Sequence, residues 1–509
     1  MKLSNPIYKV RLGQISSVKK MNKLATFFLI ATLTLAACRA SSNQNSTPAS
    51  SLPPSREENP SIDSTPLPTR PAYAPGQLVE YIAQTGDTLP ALAARFNTTV
   101  DEILAANTFI PRDATTMPQG MPMQIPIYYR ALWGTAFQSI PDHAFVNSPT
   151  SSGFNTAAFV QSQNGWWKHY RAYVAGKIRT GAELVDYIAT NYSINPRLLL
   201  AILEYQGGAL TQEAPPTNRK LLGLERAFWE SHYLQLTLAA NTLNNGYYGW
   251  RSGTLLEFED ANGNLFRPDP WQNAGSAALQ YYFSRMFAGD EFARAISADG
   301  LYQTYTKLFG DPWNESFELI PGSLTQPELI LPFPNGQTWS YTGGPHTGWG
   351  TGEPLAALDF APPAEQSGCV AAKPENYVVA IADGLVVRSS IDGVALDLDK
   401  DGDERTGWVI YYLHLATNQR AVVGANLTAG DLIGYPSCEG GSSTGTNVHI
   451  ARKYNGEWML ADSAVPFVMD GWIPHNGSRA YLGTLTKGNL TVIACECGDA
   501  FTAVSANPP

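Results

Sequence analysis

The last third of the chain constrains its fold more than any other part. From about residue 329 the sequence consists of short apolar runs separated by turns rich in Gly, Pro and Asn. Turn signals recur about every 8–12 residues, which is typical of antiparallel β-structure. The runs include residues 377–382, 384–388, 407–415 and 447–452. We therefore predict a mainly antiparallel β domain over residues 325–490, built as a sheet or a split barrel, followed by a C-terminal tail over 491–509.

Three of the seven histidines of the chain stand at informative positions in this region, namely His346, His414 and His449. A single histidine is more often an ordinary core or surface residue. Together with Asp359, however, these side chains provide neutral imidazoles and one carboxylate, which are the ligands of catalytic zinc. The set is therefore a candidate metal site.

The order of short motifs here resembles that of the lysostaphin/LytM-type zinc peptidases. The resemblance implies that His346, Asp359 and His449 bind zinc and that His414 is catalytic. It also implies that the substrate is a peptide of the bacterial cell wall. The motifs that carry it are, in order, Gly343-Gly-Pro-His346 with Leu358-Asp359-Phe360-Ala361, Ala382-Asp-Gly-Leu-Val-Val387, Tyr412-Leu-His414-Leu415, Leu427-Thr-Ala-Gly-Asp-Leu-Ile-Gly434 and Thr444-Gly-Thr-Asn-Val-His449.

The spacing of the first two ligands departs from that family. Its members commonly place the aspartate much closer to the first histidine, whereas 13 residues separate Asp359 from His346 here. Residues 347–354 must therefore loop out if both ligands are to converge. Their Gly and Pro content permits such a loop.

Asn447 is the second departure, because it stands where the family has another catalytic histidine. Strand alternation predicts that Asn447 and His449 point to the same face. An amide can form hydrogen bonds but cannot take up a proton at neutral pH. We expect zinc binding with reduced catalysis. The alternative is a degenerate peptidase fold that acts as a wall-binding scaffold or as an activator of amidases.

An acidic segment at 397–403 resembles the first half of a calcium loop, with Asp397, Asp399, Asp401 and Asp403 at odd positions and glycine at the sixth. The twelfth position, where such a loop needs a bidentate acid, is Trp408, which excludes an EF-hand. A calcium-binding turn and an acidic hairpin turn without a cation both remain open.

The chain has five cysteines. Cys369 and Cys438 are predicted to form a disulfide, because an exported protein lies in an oxidising compartment. Cys495 and Cys497 are expected to stay unbridged, since side chains on one face of a strand diverge.

A small module precedes these regions. Between residues 79 and 127 the pattern predicts a strand, two capped helices and a closing strand. This βααβ order, with the run Gly86-Asp87-Thr88-Leu89, resembles a LysM domain over 76–128. The resemblance implies binding of peptidoglycan through N-acetylglucosamine, by way of Gly86, Asp87, Thr88, Asn107 and Ile110. A small structural unit without a ligand is the alternative.

Residues 130–320 are predicted to be mostly helical, with helices at 181–192, 196–206, 221–244 and 276–285. The run 194–208 resembles the catalytic-helix region of lysozyme-like lytic transglycosylases. Gln206 and Gly207 stand where that family has Glu-Ser, and glutamine has no proton to donate to a glycosidic oxygen. Glu204 lies on a different face of the helix and cannot substitute. We expect a degenerate domain or a helical spacer, and a glycosidase only as the weakest alternative.

The N-terminus predicts export. Lysines precede an apolar run at 24–35, which is too short to span a bilayer as a helix, and small residues follow it up to Cys38. The pattern over 1–37 resembles a lipoprotein signal, which implies lipidation of Cys38 and a membrane anchor. Met21 is an alternative start. Residues 38–75 are rich in Ser, Thr and Pro and are predicted to be an extended tether.

The charge of the chain excludes one class of partner. A net charge of −10 and a pI near 5.3 argue against nucleic-acid binding, which needs a basic surface. The leading hypothesis is a lipid-anchored zinc endopeptidase of the cell envelope that binds peptidoglycan through its LysM module.

Overall fold

The computed structural model of the chain describes residues 70–131, 133–217, 220–364 and 366–506. The predicted signal segment, Cys38 and most of the predicted tether lie outside the described residues. Within the described part of the chain, no helix combines the length and apolar character needed to cross a membrane.

The first module has the predicted βααβ order. It consists of β1 (Gln77–Ile82), α1 (Leu89–Phe96), α2 (Val100–Ala106) and β2 (Pro122–Ile127), and the two strands pair antiparallel. Thr88 and Thr99 cap the two helices through hydrogen bonds from the backbone amides of Ala91 and Glu102. These caps satisfy amides that would otherwise lack partners at a helix start. The prediction for this module is confirmed.

The middle of the chain is a helical domain with two short hairpins. Its helices are α3 (Asp142–Phe145), α4 (Thr156–Ser162), α5 (Gly181–Tyr192), α6 (Pro196–Gly207), α7 (His232–Ser252), α8 (Ala274–Ser284), α9 (Gly289–Ala295) and α10 (Leu301–Phe309). The hairpins are β3 (Arg171–Val174) with β4 (Lys177–Thr180), and β5 (Phe258–Glu259) with β6 (Leu265–Phe266).

The predicted helix at 221–244 is wrong in its bounds. Helix α7 begins only after Ser231, whose hydroxyl accepts the Leu234 amide. The preceding segment is irregular, and the buried Gln235 side chain holds it by donating to the carbonyls of Leu224 and Trp229. At its other end the helix continues past Gly246 to Ser252. Gly246 lies directly against Ala278 of α8, where a side chain would not fit, so the glycine serves close packing and does not end the helix.

The last domain is built on a nine-stranded sheet. Eight of its strands run in the order β13–β10–β11–β12–β15–β8–β7–β20, and β16 pairs with β15. The pairings between neighbouring strands are antiparallel, as predicted, whereas the split barrel stays a prediction. The strands of the domain are β7 (Thr338–Thr347), β8 (Leu355–Ala361), β9 (Val378–Val379), β10 (Gly384–Ser390), β11 (Gly393–Asp397), β12 (Trp408–Leu413), β13 (Asn426–Leu427), β14 (Leu432–Gly434), β15 (Val448–Tyr454), β16 (Glu457–Trp458), β17 (Ile473–Asn476), β18 (Gly483–Lys487), β19 (Leu490–Ile493) and β20 (Ala503–Ser505).

The residues predicted as a C-terminal tail instead belong to this domain. Strand β19 pairs with β18, and β20 pairs with β7 at the edge of the large sheet. Val504 is fully buried there. Because an unpaired edge strand exposes its backbone groups, this pairing covers the edge that β7 would otherwise present.

The two faces of the large sheet pack differently. Leu358, Phe360, Tyr412 and Ile450 point to one side and form the core of the domain itself. The opposite side carries Tyr411, Leu413 and Ala451, which share a continuous apolar core with the helical domain. The helical domain therefore covers one face of the sheet.

Polar contacts reinforce this packing. The Tyr187 hydroxyl donates to Asp392 at 3.0 Å, and the Tyr248 hydroxyl accepts the Trp458 amide at 3.0 Å. Arg251 of α7 forms an ion pair with Glu457 at 2.9 Å, and both side chains are buried. A second guanidinium nitrogen of Arg251 donates to the Thr85 carbonyl of the first module. One side chain thus contacts all three domains.

Candidate metal centre

The predicted ligands His346, Asp359 and His449 converge on the sheet face that the helical domain covers. His449 and Asp359 are direct cross-strand partners on β15 and β8, and His346 lies near the end of β7. One carboxylate oxygen of Asp359 lies 3.2 Å from His346 Nε2 and 3.2 Å from His449 Nδ1. The two imidazole nitrogens are 2.9 Å apart. Three potential ligand atoms therefore meet at one point.

Backbone carbonyls fix both imidazoles from behind. His346 Nδ1 lies 2.8 Å from the Gly344 carbonyl, and His449 Nε2 lies 3.2 Å from the Gly348 carbonyl. A nitrogen that faces a carbonyl carries the proton, so the other nitrogen of each ring presents a lone pair to the cluster. This is the tautomer that a metal ligand requires.

Asp359 is held ionised at this point. Burial alone would raise the pKa of its carboxyl, but His346 and His449, when their rings carry a proton toward it, lower that pKa to well below its usual range. The oxygen between the two rings is nevertheless buried and has no hydrogen-bond partner of its own. A cation bound by the three residues would supply the missing partner, so the donor set fits zinc.

His414 follows the last residue of β12 and is buried beside this cluster. Its ring centre lies 6.1 Å from that of His449. Its Nδ1 lies 2.8 Å from the Glu439 carbonyl, so its Nε2 carries the lone pair. Burial, together with His449, lowers the pKa of His414. The ring is therefore a neutral base at pH 7.

The predicted disulfide contributes to this arrangement. Cys369 and Cys438 are bonded, with their Cα atoms 5.8 Å apart. Cys438 directly precedes Glu439, so the bond anchors the segment whose carbonyl orients His414. Cys495 and Cys497 are also bonded, contrary to our expectation. They lie in a turn after β19 rather than within a strand, so the divergence of strand side chains does not apply.

Asn447 lies two residues before His449 and lines the same sheet face, but its amide nitrogen is engaged. Nδ2 donates to the Ser443 hydroxyl at 2.9 Å and to the Gly445 carbonyl at 2.8 Å. Its Oδ1 is buried without a hydrogen-bond partner. Asn447 therefore offers the site only an acceptor.

Tyr481 is a site residue that sequence reasoning missed. Its ring stacks on that of His346, with 4.1 Å between ring centres. The Gly344 amide donates to the Tyr481 carbonyl at 2.9 Å, which joins the two segments. Burial and the charge of Asp359 raise the pKa of its phenol. More than 130 residues separate it from His346, and no local pattern marks it.

Comparison with known proteins identifies the parts of the chain. The family profile "LasA, N-terminal domain" matches residues 138–323, and the LysM profile matches residues 81–114. Protease LasA of Pseudomonas aeruginosa strain UCBPP-PA14 is 27% identical over 320 residues, which are 58% of this chain and 71% of that protein. The chain is therefore similar to protease LasA over more than half of its length.

Two further proteins are similar to part of the chain. The β-lytic metalloendopeptidase of Achromobacter lyticus is 33% identical over 138 residues, covering 26% of this chain and 34% of that protein. Among solved structures, the M23 metalloprotease pseudoalterin is 23% identical, covering 33% of this chain and 96% of its own, with a TM-score of 0.29.

The LasA N-terminal profile covers most of the predicted helical domain, whose transglycosylase resemblance stays a prediction. Gln206 is a packing residue whose Oε1 accepts the Tyr282 hydroxyl at 2.6 Å and whose Nε2 donates to the Leu222 carbonyl at 3.1 Å. Glu204 accepts the Leu210 amide at 2.7 Å and the Thr211 hydroxyl at 2.5 Å. Neither side chain is placed as a general acid.

The loop between the first two predicted ligands runs along the helical domain. Residues 348–354 connect β7 to β8, as the wide ligand spacing requires. Asn241 and Asn245 of α7 accept the backbone amides of Thr351 and Glu353 at 2.8 and 2.7 Å. The helical domain therefore holds the loop that joins His346 to Asp359.

The residues predicted to bind glycan are mostly internal to the LysM domain. Asp87 accepts the Tyr81 hydroxyl at 2.6 Å and Arg95 at 2.8 Å, and Asn107 joins α2 to β2. Ile110 is buried. Gly86 and Thr88 line a cavity of about 400 Å³, which the other two domains complete.

The acidic turn lies between β11 and β12. Asp397, Asp399 and Asp401 converge, with oxygens within 4.8 Å of one another. Asp403 does not join them, because its carboxylate pairs with Arg405 at 2.7 Å. Burial, more than the charge of Asp399, raises the pKa of Asp397 to about 6.

Proposed function

We propose that this chain is an exported zinc endopeptidase that hydrolyses peptide bonds of peptidoglycan. The observation that carries the proposal is the meeting of His346 Nε2, His449 Nδ1 and Asp359 Oδ1 within hydrogen-bonding distance of one another. The opposite nitrogen of each ring faces a backbone carbonyl, so the two nitrogens at the meeting point have lone pairs available to bind a cation. The relationship to LasA-type metallopeptidases supports the same chemistry.

The residues divide the work of peptide hydrolysis. Zinc, when bound by His346, Asp359 and His449, supplies Lewis acidity toward water and the scissile carbonyl. His414 takes up the proton of the attacking water at Nε2, because its Nδ1 is committed to Glu439. Tyr481 keeps its phenolic proton at neutral pH, since its pKa is raised, and offers a donor to developing negative charge.

A substrate peptide has a place along the same sheet face. A cavity of about 700 Å³ is lined by Ser340, Thr342, Ala361 and Asn447, of which Asn447 lies two residues before His449 and Ala361 two residues after Asp359. Ser340 and Ala361 are cross-strand partners, so the cavity lies across the paired strands β7 and β8. The Oδ1 of Asn447 has no hydrogen-bond partner within the chain, and the backbone amide of a bound peptide would supply one.

The LysM domain is proposed to bind the glycan of the same polymer. Of the predicted contacts, Gly86 and Thr88 line the 400 Å³ cavity together with Asp462 and Ser463 of the last domain. Polar side chains around a cavity of this size suit a sugar ring with several hydroxyls. Glycan binding would hold the peptidase near its substrate and raise the local concentration of peptide.

Lipidation of Cys38 is proposed as the anchor to the membrane. Cys38→Ala should release the protein from the membrane fraction or leave it as an uncut precursor. Fractionation and migration identical to the wild type would overturn the anchor.

The peptidase proposal is tested by zinc analysis and digestion of purified peptidoglycan. We expect one zinc per chain and new free amines, and His449→Ala should lose both because it deletes a ligand. His475→Ala is the matched control, since that histidine lies on β17 and contacts Thr486. Zinc without new amines would instead favour a wall-binding scaffold, and the absence of zinc would overturn the metal centre.

A further inference from the structure

The turn between β11 and β12 gathers several negative charges around one lysine, Lys400. Asp397, Asp399 and Asp401 each offer an oxygen to a common point. Two arginines near the turn are engaged elsewhere, Arg405 with Asp403 and Arg388 with Glu404. Among the described residues, no Lys, Arg or His forms an ion pair with any of the three carboxylates.

Asp397 is the independent observation that points to a ligand. It is fully buried, with a relative exposure of 0%. Its Oδ2 accepts the Gly402 amide at 3.0 Å, but its Oδ1 is buried with no hydrogen-bond partner. A buried carboxylate oxygen without a partner is strongly unfavourable, so such an oxygen calls for a cation.

The ligand atoms select the class of cation. All three are carboxylate oxygens, which favour a hard ion over zinc, whose structural sites use sulfur and nitrogen. Calcium binds oxygens at about 2.3–2.6 Å, so its ligands lie up to about 5 Å apart. The three oxygens here lie within 4.8 Å of one another. The flexible coordination of calcium also accepts waters at the positions that the protein leaves open.

We propose that Asp397, Asp399 and Asp401 bind one calcium ion, distinct from the zinc centre. The ion joins the end of β11 to the start of β12, the strand that leads to His414. Asp403 has another part in the same turn, because it accepts the Ser152 hydroxyl of the helical domain at 2.9 Å. Calcium therefore holds the turn that contacts that domain.

The test measures calcium directly and does not depend on peptidase activity. The zinc-loaded chain, passed through a calcium-free buffer, is dialysed to equilibrium against radioactive Ca²⁺, with zinc content measured in parallel. We expect one calcium per chain. In Asp397→Asn the affinity for calcium should fall by about tenfold or more, because the charge of the ligand set governs affinity. Asp403→Asn is the matched control in the same turn and should bind as the wild type does.

Asp401→Asn provides a second variant, since Asp401 is exposed and its substitution leaves the buried position intact. It should weaken calcium binding with no change in zinc. Three results would overturn the proposal: no calcium bound by the wild type, equal binding by Asp401→Asn, or full displacement of calcium by an equal concentration of Mg²⁺. None of these results bears on the zinc peptidase.

Discussion

Gly352 lies with its backbone against the side-chain amide of Asn245. Its φ of +86° is a conformation that glycine adopts without strain, and a Cβ there would stand 2.2 Å from Asn245 Oδ1. The next residue, Glu353, donates its amide to that same oxygen at 2.7 Å. Gly350 and Asn241 repeat the arrangement one helical turn earlier. Two asparagines of α7 therefore hold the loop that links His346 to Asp359.

The double variant Asn241→Ala, Asn245→Ala should loosen the helical domain from the peptidase face. It removes the acceptors of the Thr351 and Glu353 amides, each hydrogen bond contributing about 0.5–1.5 kcal/mol. We expect faster hydrogen exchange in residues 347–354 and faster hydrolysis of a soluble peptide, since the covered face becomes accessible.

Asn262→Ala is the control for this variant, because Asn262 is an exposed residue of the β5–β6 hairpin. It should change neither measurement. Faster exchange without faster hydrolysis would mean that the helical domain does not limit access to the site.

His414 should set the acid limb of the pH profile. An unperturbed histidine has a pKa of about 6.5, and burial with His449 lowers that of His414. Because the neutral ring is the base, kcat/KM should fall only as the pH drops through this lowered value, below about 6.5. His414→Gln should reduce kcat about 10²–10⁴-fold with zinc content unchanged. An acid limb above pH 7 in the wild type would contradict this assignment.

Asn447→His should raise turnover at unchanged zinc content. A positioned acid–base group contributes about 10²–10⁴-fold, of which a restored imidazole would recover a part. Asn447→Ala is the control and should show no gain, since it adds no proton-handling group. If Asn447→His lowers activity while the wild type is fully active, His414 suffices and the asparagine is not a lesion.

Tyr481→Phe tests the residue stacked on His346. The substitution keeps the ring and removes only the hydroxyl, so zinc content should not change. We expect kcat to fall by about 10²-fold while KM changes little, because the donor serves charge that develops during the reaction. Equal loss in Tyr481→Phe and Tyr481→Ala would confirm the hydroxyl, whereas loss in the alanine variant alone would assign the role to ring packing.

Local patterns predicted much of the fold. Helix α5 was predicted at its observed bounds from its helical pattern, and in the structure Thr180 caps it. His346, Asp359 and His449 were predicted as ligands because each lies in a short motif of its own, and the structure brings the three together. The direct pairing of Asp359 with His449 across β8 and β15 depends on strand register, which cannot be deduced from these motifs.

The features of the site that the sequence did not predict depend on contacts between distant segments of the chain. Tyr481 reaches His346 only through the fold, and nothing near it in sequence marks a site. Asp87 and Asn107 stood in a motif associated with glycan, but their hydrogen bonds are used within the LysM domain. A motif identifies the residue types, and burial decides whether a ligand can reach them.

Arg251 has one further consequence, for how the chain unfolds. Its guanidinium contacts Glu457 of the peptidase domain, Asp142 of the helical domain and the Thr85 carbonyl of the LysM domain. Removing one partner from a buried ion pair costs about 3–5 kcal/mol, so the peptidase domain cannot detach without stranding a charge. Detachment of the LysM domain would leave one guanidinium donor without its carbonyl acceptor. Unfolding should therefore be cooperative across the three domains. Calorimetry should show a single transition, whereas three independently folding domains would give several separate transitions.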